Sequence, residues 1–161
     1  VTRSVPVLFA DSNVFIEALF FKESAAAALI RMVAQGAFDI VSCQLVIDDV
    51  EIALLNKLKH KQELVGLMID LWQEMKDDMR LVVFPDPREE LVKKVYKDYI
   101  GVMRHKADIP VLTAALNMKP LPDAILSNNR EHFNDAVSQR CQIYIGSCKE
   151  FLERMLGVPE G

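Results

Sequence analysis

Three acids and one amide stand where side chains could gather around a hard cation. Asp11 follows the apolar run "VPVLFA" (5–10), and Asn129 follows "AILSN" (124–128). Glu51 lies inside the apolar pattern of "SCQLVIDDVEIALLNKL" (42–58), and Asp108 immediately precedes "IPVLTAAL" (109–116). Each has an ordinary structural explanation. Asp108 before Ile109-Pro110 is a natural helix N-cap, worth about 1 kcal/mol. Glu51 could reach solvent from the edge of its stripe. Asp48 and Asp49 lie early in the same segment, where a helix dipole favours anions. Taken together, the three acids suggest a carboxylate cluster of the kind that Mg²⁺ or Mn²⁺ requires. Without a cation such a cluster repels itself and raises its own pKa values.

Elements able to bring these residues together alternate along the chain. Strand patterns fall at 5–10, 38–42, 80–84, 124–127 and 142–145. Helical patterns fall at 13–21, 23–35, 43–60, 62–79, 88–101, 108–118 and 148–156. This alternation predicts a parallel sheet covered by helices on both faces. In such sheets functional groups collect beyond the carboxyl ends of the strands, where Asp11 and Asn129 are expected. Ser42 is the expected N-cap of the second acid's helix. There Ile47, Val50, Leu54, Leu55 and Leu58 recur at i, i+3 and i+4, with Glu51 among them. Such a position is costly for a carboxylate unless it is paired, protonated or metal-bound. The segment 109–116 is apolar almost all round, so it should be buried, with Asp108 pointing inward. Gly36 and Gly157 are expected helix terminators.

Composition narrows the class. The chain has 161 residues, the size of one domain, and 51% of them are hydrophobic, enough for a sizeable core. No apolar stretch is long enough to span a membrane. Three cysteines without a C-x-x-C spacing read as reduced thiols in a cytoplasmic protein. The net charge of −4 argues against indiscriminate nucleic-acid binding. Positive charge is nevertheless local, at 57–61, 93–94 and 104–106. Arg104 and Lys106 flank Asp108 and, with Arg130, could meet phosphates; as ordinary surface charges they would simply be solvated.

The pieces run in an order that resembles the PIN-domain superfamily of metal-dependent ribonucleases. "VLFADSNVFIEAL" resembles the family's opening strand and Asp-Thr/Ser-Asn turn, and Ser42 to Glu51 resembles its Ser…Glu helix, with Asp48 as a competing match for the acid. "HKADIPVLTAALNMKPLPDAILSNNREHF" is similar to the H-x-x-D…Ala segment followed by a strand, T/S-x-D and H-F. "IYIGSCKEFLERML" resembles the terminal strand and helix. The resemblance implies a three-layer α/β/α sandwich with a central parallel sheet of about five strands, spanning the whole chain as one domain. It also implies Asp11, Glu51 and Asp108 as ligands of one or two Mg²⁺ or Mn²⁺ ions, with Asn13 and Ser127 as polar supports. The family's fourth acid falls on Asn129, an amide. The implied activity is phosphodiester hydrolysis of RNA, and many such proteins are toxins, which would imply an antitoxin partner and a homodimer. The alternative is a PIN-like binding or assembly module without turnover, which the uncharged Asn129 favours. Other phosphate-handling α/β folds fit poorly. Position 13 is Asn where a haloacid-dehalogenase-like hydrolase needs Asp, and no G-x-G-x-x-G follows the first run.

Overall fold

The computed structural model describes residues 4–157. Five parallel strands form one sheet: β1 (Val7–Ala10), β2 (Asp39–Cys43), β3 (Val82–Phe84), β4 (Ala124–Leu126) and β5 (Tyr144–Gly146), ordered β3-β2-β1-β4-β5. Phe9 is the centre of the register, opposite Val41 of β2 and Ile125 of β4. Leu8, Phe9, Ala10, Ile40, Val41 and all of β4 are buried. Both faces of the central strands are therefore covered, which is why they read as continuous apolar runs and not as alternating ones.

Eight α-helices cover the sheet among the described residues: α1 (Ser12–Phe20), α2 (Ala25–Ala34), α3 (Gln44–Lys57), α4 (Gln62–Met79), α5 (Glu89–Tyr99), α6 (Ile109–Leu116), α7 (Asp135–Cys141) and α8 (Cys148–Leu156). Helices α1 to α4 and α8 pack among themselves, while α5 packs on α6 and α6 on β2. The result is the expected three-layer α/β/α sandwich. Val46, Ile47, Val50 and Leu54 turn one face of α3 to the core. Trp72 of α4 sits on Phe15 of α1 with ring centroids 5.4 Å apart.

Two local expectations are corrected. Ser42 does not cap α3: it belongs to β2, where its buried hydroxyl donates to the Ala10 carbonyl at 2.7 Å. The helix begins one residue later behind Cys43, without a side-chain cap. Helix α7 is not foreseen from periodicity, because its seven residues carry one buried apolar side chain, Val137. What starts it is local chemistry, the Asn134 amide oxygen accepting from the Val137 N–H at 3.0 Å. The two glycines end helices as expected: Gly157 is the left-handed C-cap of α8, and Gly36 follows the α2 cap with φ 88°.

All three cysteines are free thiols, Cys43 and Cys148 being buried. Burial, reinforced by the Glu17 charge, pushes the Cys148 thiol up to about 12, so it is a core group and not a nucleophile. No described helix is long and apolar enough to cross a membrane.

Trp72 is the chain's one tryptophan and is 2% exposed. Replacing it with alanine should cost about 3–5 kcal/mol, the range for removing a large aromatic from a core. Urea unfolding followed by far-UV circular dichroism measures this; a loss below about 1 kcal/mol would place the ring outside the core.

Candidate functional site

Asp11 occupies the turn from β1 into α1 and caps that helix, with Oδ1 accepting from the Ser12 N–H at 2.8 Å. Its other oxygen, Oδ2, accepts from Ser127 Oγ at 3.0 Å and from Asn13 Nδ2 at 3.2 Å. Asn13 completes a knot: Nδ2 also contacts Ser127 Oγ at 3.1 Å, and Oδ1 accepts from the Asn128 N–H at 2.8 Å. The backbone closes it, since Asp11 N–H donates to the Leu126 carbonyl and Ser127 N–H to that of Gly146. Both expected supports, Asn13 and Ser127, therefore meet Asp11. Asp11 is only 8% exposed. Burial raises its pKa, the Ser12 and Ser127 hydrogen bonds oppose the rise, and the charges of Asp108 and Asp49 add to it.

Asp108 stands where a helix N-cap belongs, but makes no capping bond. A 3₁₀ turn over Lys106–Asp108 gives it helical backbone angles, φ −84° and ψ −14°, which leave its carboxylate free to turn toward His132. His132 Nδ1 lies 2.7 Å from the buried Asp108 Oδ2, so the imidazole and the carboxylate form a close pair. His105 stacks on His132 with centroids 3.6 Å apart and planes 24° apart. Burial raises the Asp108 pKa, and His132 and then His105 pull it back.

On α3 the acid whose charge reaches Asp11 is Asp49, itself an exposed side chain. Burial raises its pKa first, then the neighbouring charges of Asp48 and Asp108. Glu51, the sequence choice, is exposed and faces α4, 3.9 Å from Lys76 Nζ. Asp48, its rival, accepts from Gln44 Nε2 at 2.8 Å. The reason is visible in the stripe. Leu55, counted with the buried face, is 52% exposed, as is its neighbour Ile52 at 56%, so the true face is centred away from Glu51. A legible signal did exist: Asp49 lies in the second turn of a helix that starts at a strand's carboxyl end.

Asn129 is half-buried at the end of β4. Its N–H donates to Ser127 Oγ at 3.2 Å, and its carbonyl accepts from His132 and Phe133. Its neighbour Asn128 is structural, its amide bonding Glu17 and accepting from the Cys148 N–H. Asp123 lies at the opposite end of the sheet, accepting from the Val7 N–H.

The three expected phosphate contacts separate. Arg130 is internally committed to Asp135, Glu150 and the Phe133 carbonyl. Lys106 Nζ lies 5.7 Å from the Tyr96 ring centroid. Arg104 is exposed and makes no ion pair.

Among the described residues no three His, Cys, Asp or Glu side chains form a ready coordination shell. The donor chemistry nevertheless suits a hydrated hard cation. Mg²⁺ keeps several waters and needs only one or two direct carboxylates, and Asp11 and Asp108 bring two carboxylates from separate elements near enough for the charge of one to raise the pKa of the other.

Comparison with protein-family models and with curated proteins gives no match. Solved structures do match in fold. VapBC2 from Rickettsia felis, bound to a DNA fragment from their promoter, superposes with a TM-score of 0.61 at 12% identity, covering 86% of this chain and 96% of that one. PAE2754 from Pyrobaculum aerophilum gives 0.58 at 15%, covering 96% and 99%. FitAcB from Neisseria gonorrhoeae gives 0.61 at 13%, covering 88% and 98%. The chain thus has a PIN-like fold.

A raised carboxyl pKa in the folded state means that ionisation destabilises the fold. The cost is present above the folded pKa and is relieved as pH falls through it. In chelator, Asp49→Asn should therefore raise the Tm at neutral pH, with the gain shrinking as the solution is acidified. Glu51→Gln should give no such gain, since it removes only a weak, exposed pair. Thermal melts across pH compare the two; equal behaviour would remove Asp49 from the cluster.

Proposed function

We propose that this PIN-like chain is a divalent-metal-dependent ribonuclease whose acids are Asp11, Asp49 and Asp108. One observation carries the proposal: the buried Asp11 carboxylate, fixed by three donors at the carboxyl end of β1, lies close enough to Asp108 and Asp49 for their charges to raise its pKa further. A cation held there would relieve that repulsion.

When bound there, Mg²⁺ or Mn²⁺ lowers the pKa of a coordinated water and polarises a phosphoryl oxygen. The chain's own groups supply the rest. Asp11 is fixed by three donors, so its free lone pair is aimed without reorganisation. Asp108 would take the proton of the attacking water, with His132 Nδ1, 2.7 Å from its Oδ2, sharing that charge. In the hydrolysis, water oxygen bonds to phosphorus, the bond to the leaving ribose oxygen breaks, and that oxygen gains a proton. Arg104 is the uncommitted cation best placed for the RNA backbone. Asn129 stands near this group as a neutral oxygen donor, lowering its charge by one.

The toxin role, with an antitoxin partner, is supported by the fold shared with VapBC2 and FitAcB; a homodimer is part of the same proposal. The second reading, a nucleic-acid-binding or assembly module without turnover, rests on Asn129. The cytoplasm is the compartment that the three free thiols favour.

Mixed single-stranded RNA with Mn²⁺, Mg²⁺ or chelator separates these readings. Cleavage should require the cation, and Asp11→Asn or Asp108→Asn should lower it about a hundredfold or more. Metal-dependent thermal stabilisation without cleavage in any condition would favour the binding module.

The amide gives a further test. Asn129→Asp should tighten Mn²⁺ binding and raise cleavage, while lowering the Tm in chelator through added repulsion. Calorimetric metal titration and melts of both proteins measure this. Unchanged affinity would put position 129 outside the metal site.

A further inference from the structure

A polar cavity lies behind the histidine stack, and of its lining only Arg104 has a part in the chemistry above. It has a volume of about 370 Å³ and is lined by Arg104, His105, Glu131 and Asn134. Its back wall is the histidine stack: His132 contacts Asp108 and covers one face of His105, and His105 lines the cavity. One imidazole thus separates this space from the imidazole on the acid.

The lining divides into committed and free groups. Asn134 is spent on structure, donating to the Val102 carbonyl at 3.0 Å and accepting from the Val137 N–H. Glu131 and Arg104 are exposed and, among the described residues, have neither ion pair nor side-chain hydrogen bond, although they carry opposite charges in the same cavity. Unpaired opposite charges beside an aromatic ring form a site with three different demands on a ligand. It must offer a flat face to His105, N–H donors to Glu131 and an anion to Arg104.

We propose that this cavity is a nucleotide subsite that selects guanine in the RNA, with His105 as the stacking platform, Glu131 as the edge reader and Arg104 on the phosphate. Single-stranded RNA is recognised through stacking on aromatic or imidazole rings and hydrogen bonds to exposed base edges. Guanine alone among the four bases presents adjacent N1–H and amino donors on one edge, matching both oxygens of a carboxylate. Adenine and cytosine offer one amino donor beside an acceptor. Uracil's single N–H is flanked by carbonyl oxygens that a carboxylate repels. The volume is of the size that holds one small polar ligand.

This assignment rests on RNA being the substrate, but its test does not rely on cleavage. Isothermal titration of the full chain in chelator, with 5′-GMP, AMP, CMP and UMP, should show GMP binding about tenfold or more tighter than the others. His105→Ala should weaken GMP binding about tenfold, and His105→Phe should retain it. Glu131→Gln should erase the base preference. Arg104→Gln should weaken GMP but leave guanosine unchanged. Equal binding of all four nucleotides, no saturable binding of any, or GMP affinity indifferent to His105→Ala would each overturn the subsite. Metal-dependent RNA cleavage with no GMP preference would remove the subsite and leave the ribonuclease standing. GMP preference without cleavage would do the reverse.

Discussion

The hydrogen-bonded knot around the Asp11 carboxylate is the constraint on which the rest of the site depends. A carboxylate this buried is costly unless its lone pairs are satisfied, and the donors come from two elements far apart in sequence. Ser12 and Asn13 belong to the start of α1, while Ser127 and Asn128 follow β4. Satisfying one charge therefore locks the carboxyl ends of neighbouring strands to the helix that leaves one of them. Asn128 extends the lock by bonding Glu17 of α1 and accepting from the first N–H of α8. The position of every group after β4, including Asn129 and His132, follows from this junction.

Around that fixed point the molecule places groups that do not favour one another. Asp108 forgoes the capping bond that its position offers, and Asp49 adds a third charge. These choices oppose folding, since burial raises the pKa of each acid and so penalises its ionised form, with neighbouring charges adding to the rise at Asp11 and Asp49. Stability comes from elsewhere, from central strands buried on both faces and from the Phe15–Trp72 contact that joins α4 to α1. A rigid apolar sandwich thus carries a polar edge in which Asp11 and Asp108 are held partly out of water. The two histidines oppose the rise in the Asp108 pKa that burial causes without cancelling it.

The basic residues show the same division between scaffold and site. Arg130 looks from the sequence like a phosphate contact, yet it works as an internal clamp, fastening the loop after β4 to α7 and α8 through Asp135 and Glu150. Lys106 lies over Tyr96 of α5. Arg104 is left uncommitted, and it opens on the cavity beside the histidine stack. In an acidic chain the placement of one free cation has more consequence for an anionic ligand than the total charge does.

The sequence by itself determined the alternation of strands and helices, because parallel strands buried on both faces and amphipathic helices leave different periodicities in the chain. It also determined Asp11 and Asp108 as candidates, since each adjoins a long apolar segment whose burial leaves few places for the acid to go. Three things were decided only by tertiary structure. The acid of α3 was one: Glu51 and Asp49 lie two residues apart, and their order of merit turned on whether Leu55 was covered, which depends on where α4 packs. The capping role of Ser42 was another, lost because β2 runs one residue further and takes its hydroxyl for the Ala10 carbonyl. The last was the histidine stack. His105 and His132 belong to the H-x-x-D and H-F pieces of one matched segment, but nothing in that pattern predicts contact; the turn before α6 and the loop after β4, folded against each other, bring their rings together beside Asp108.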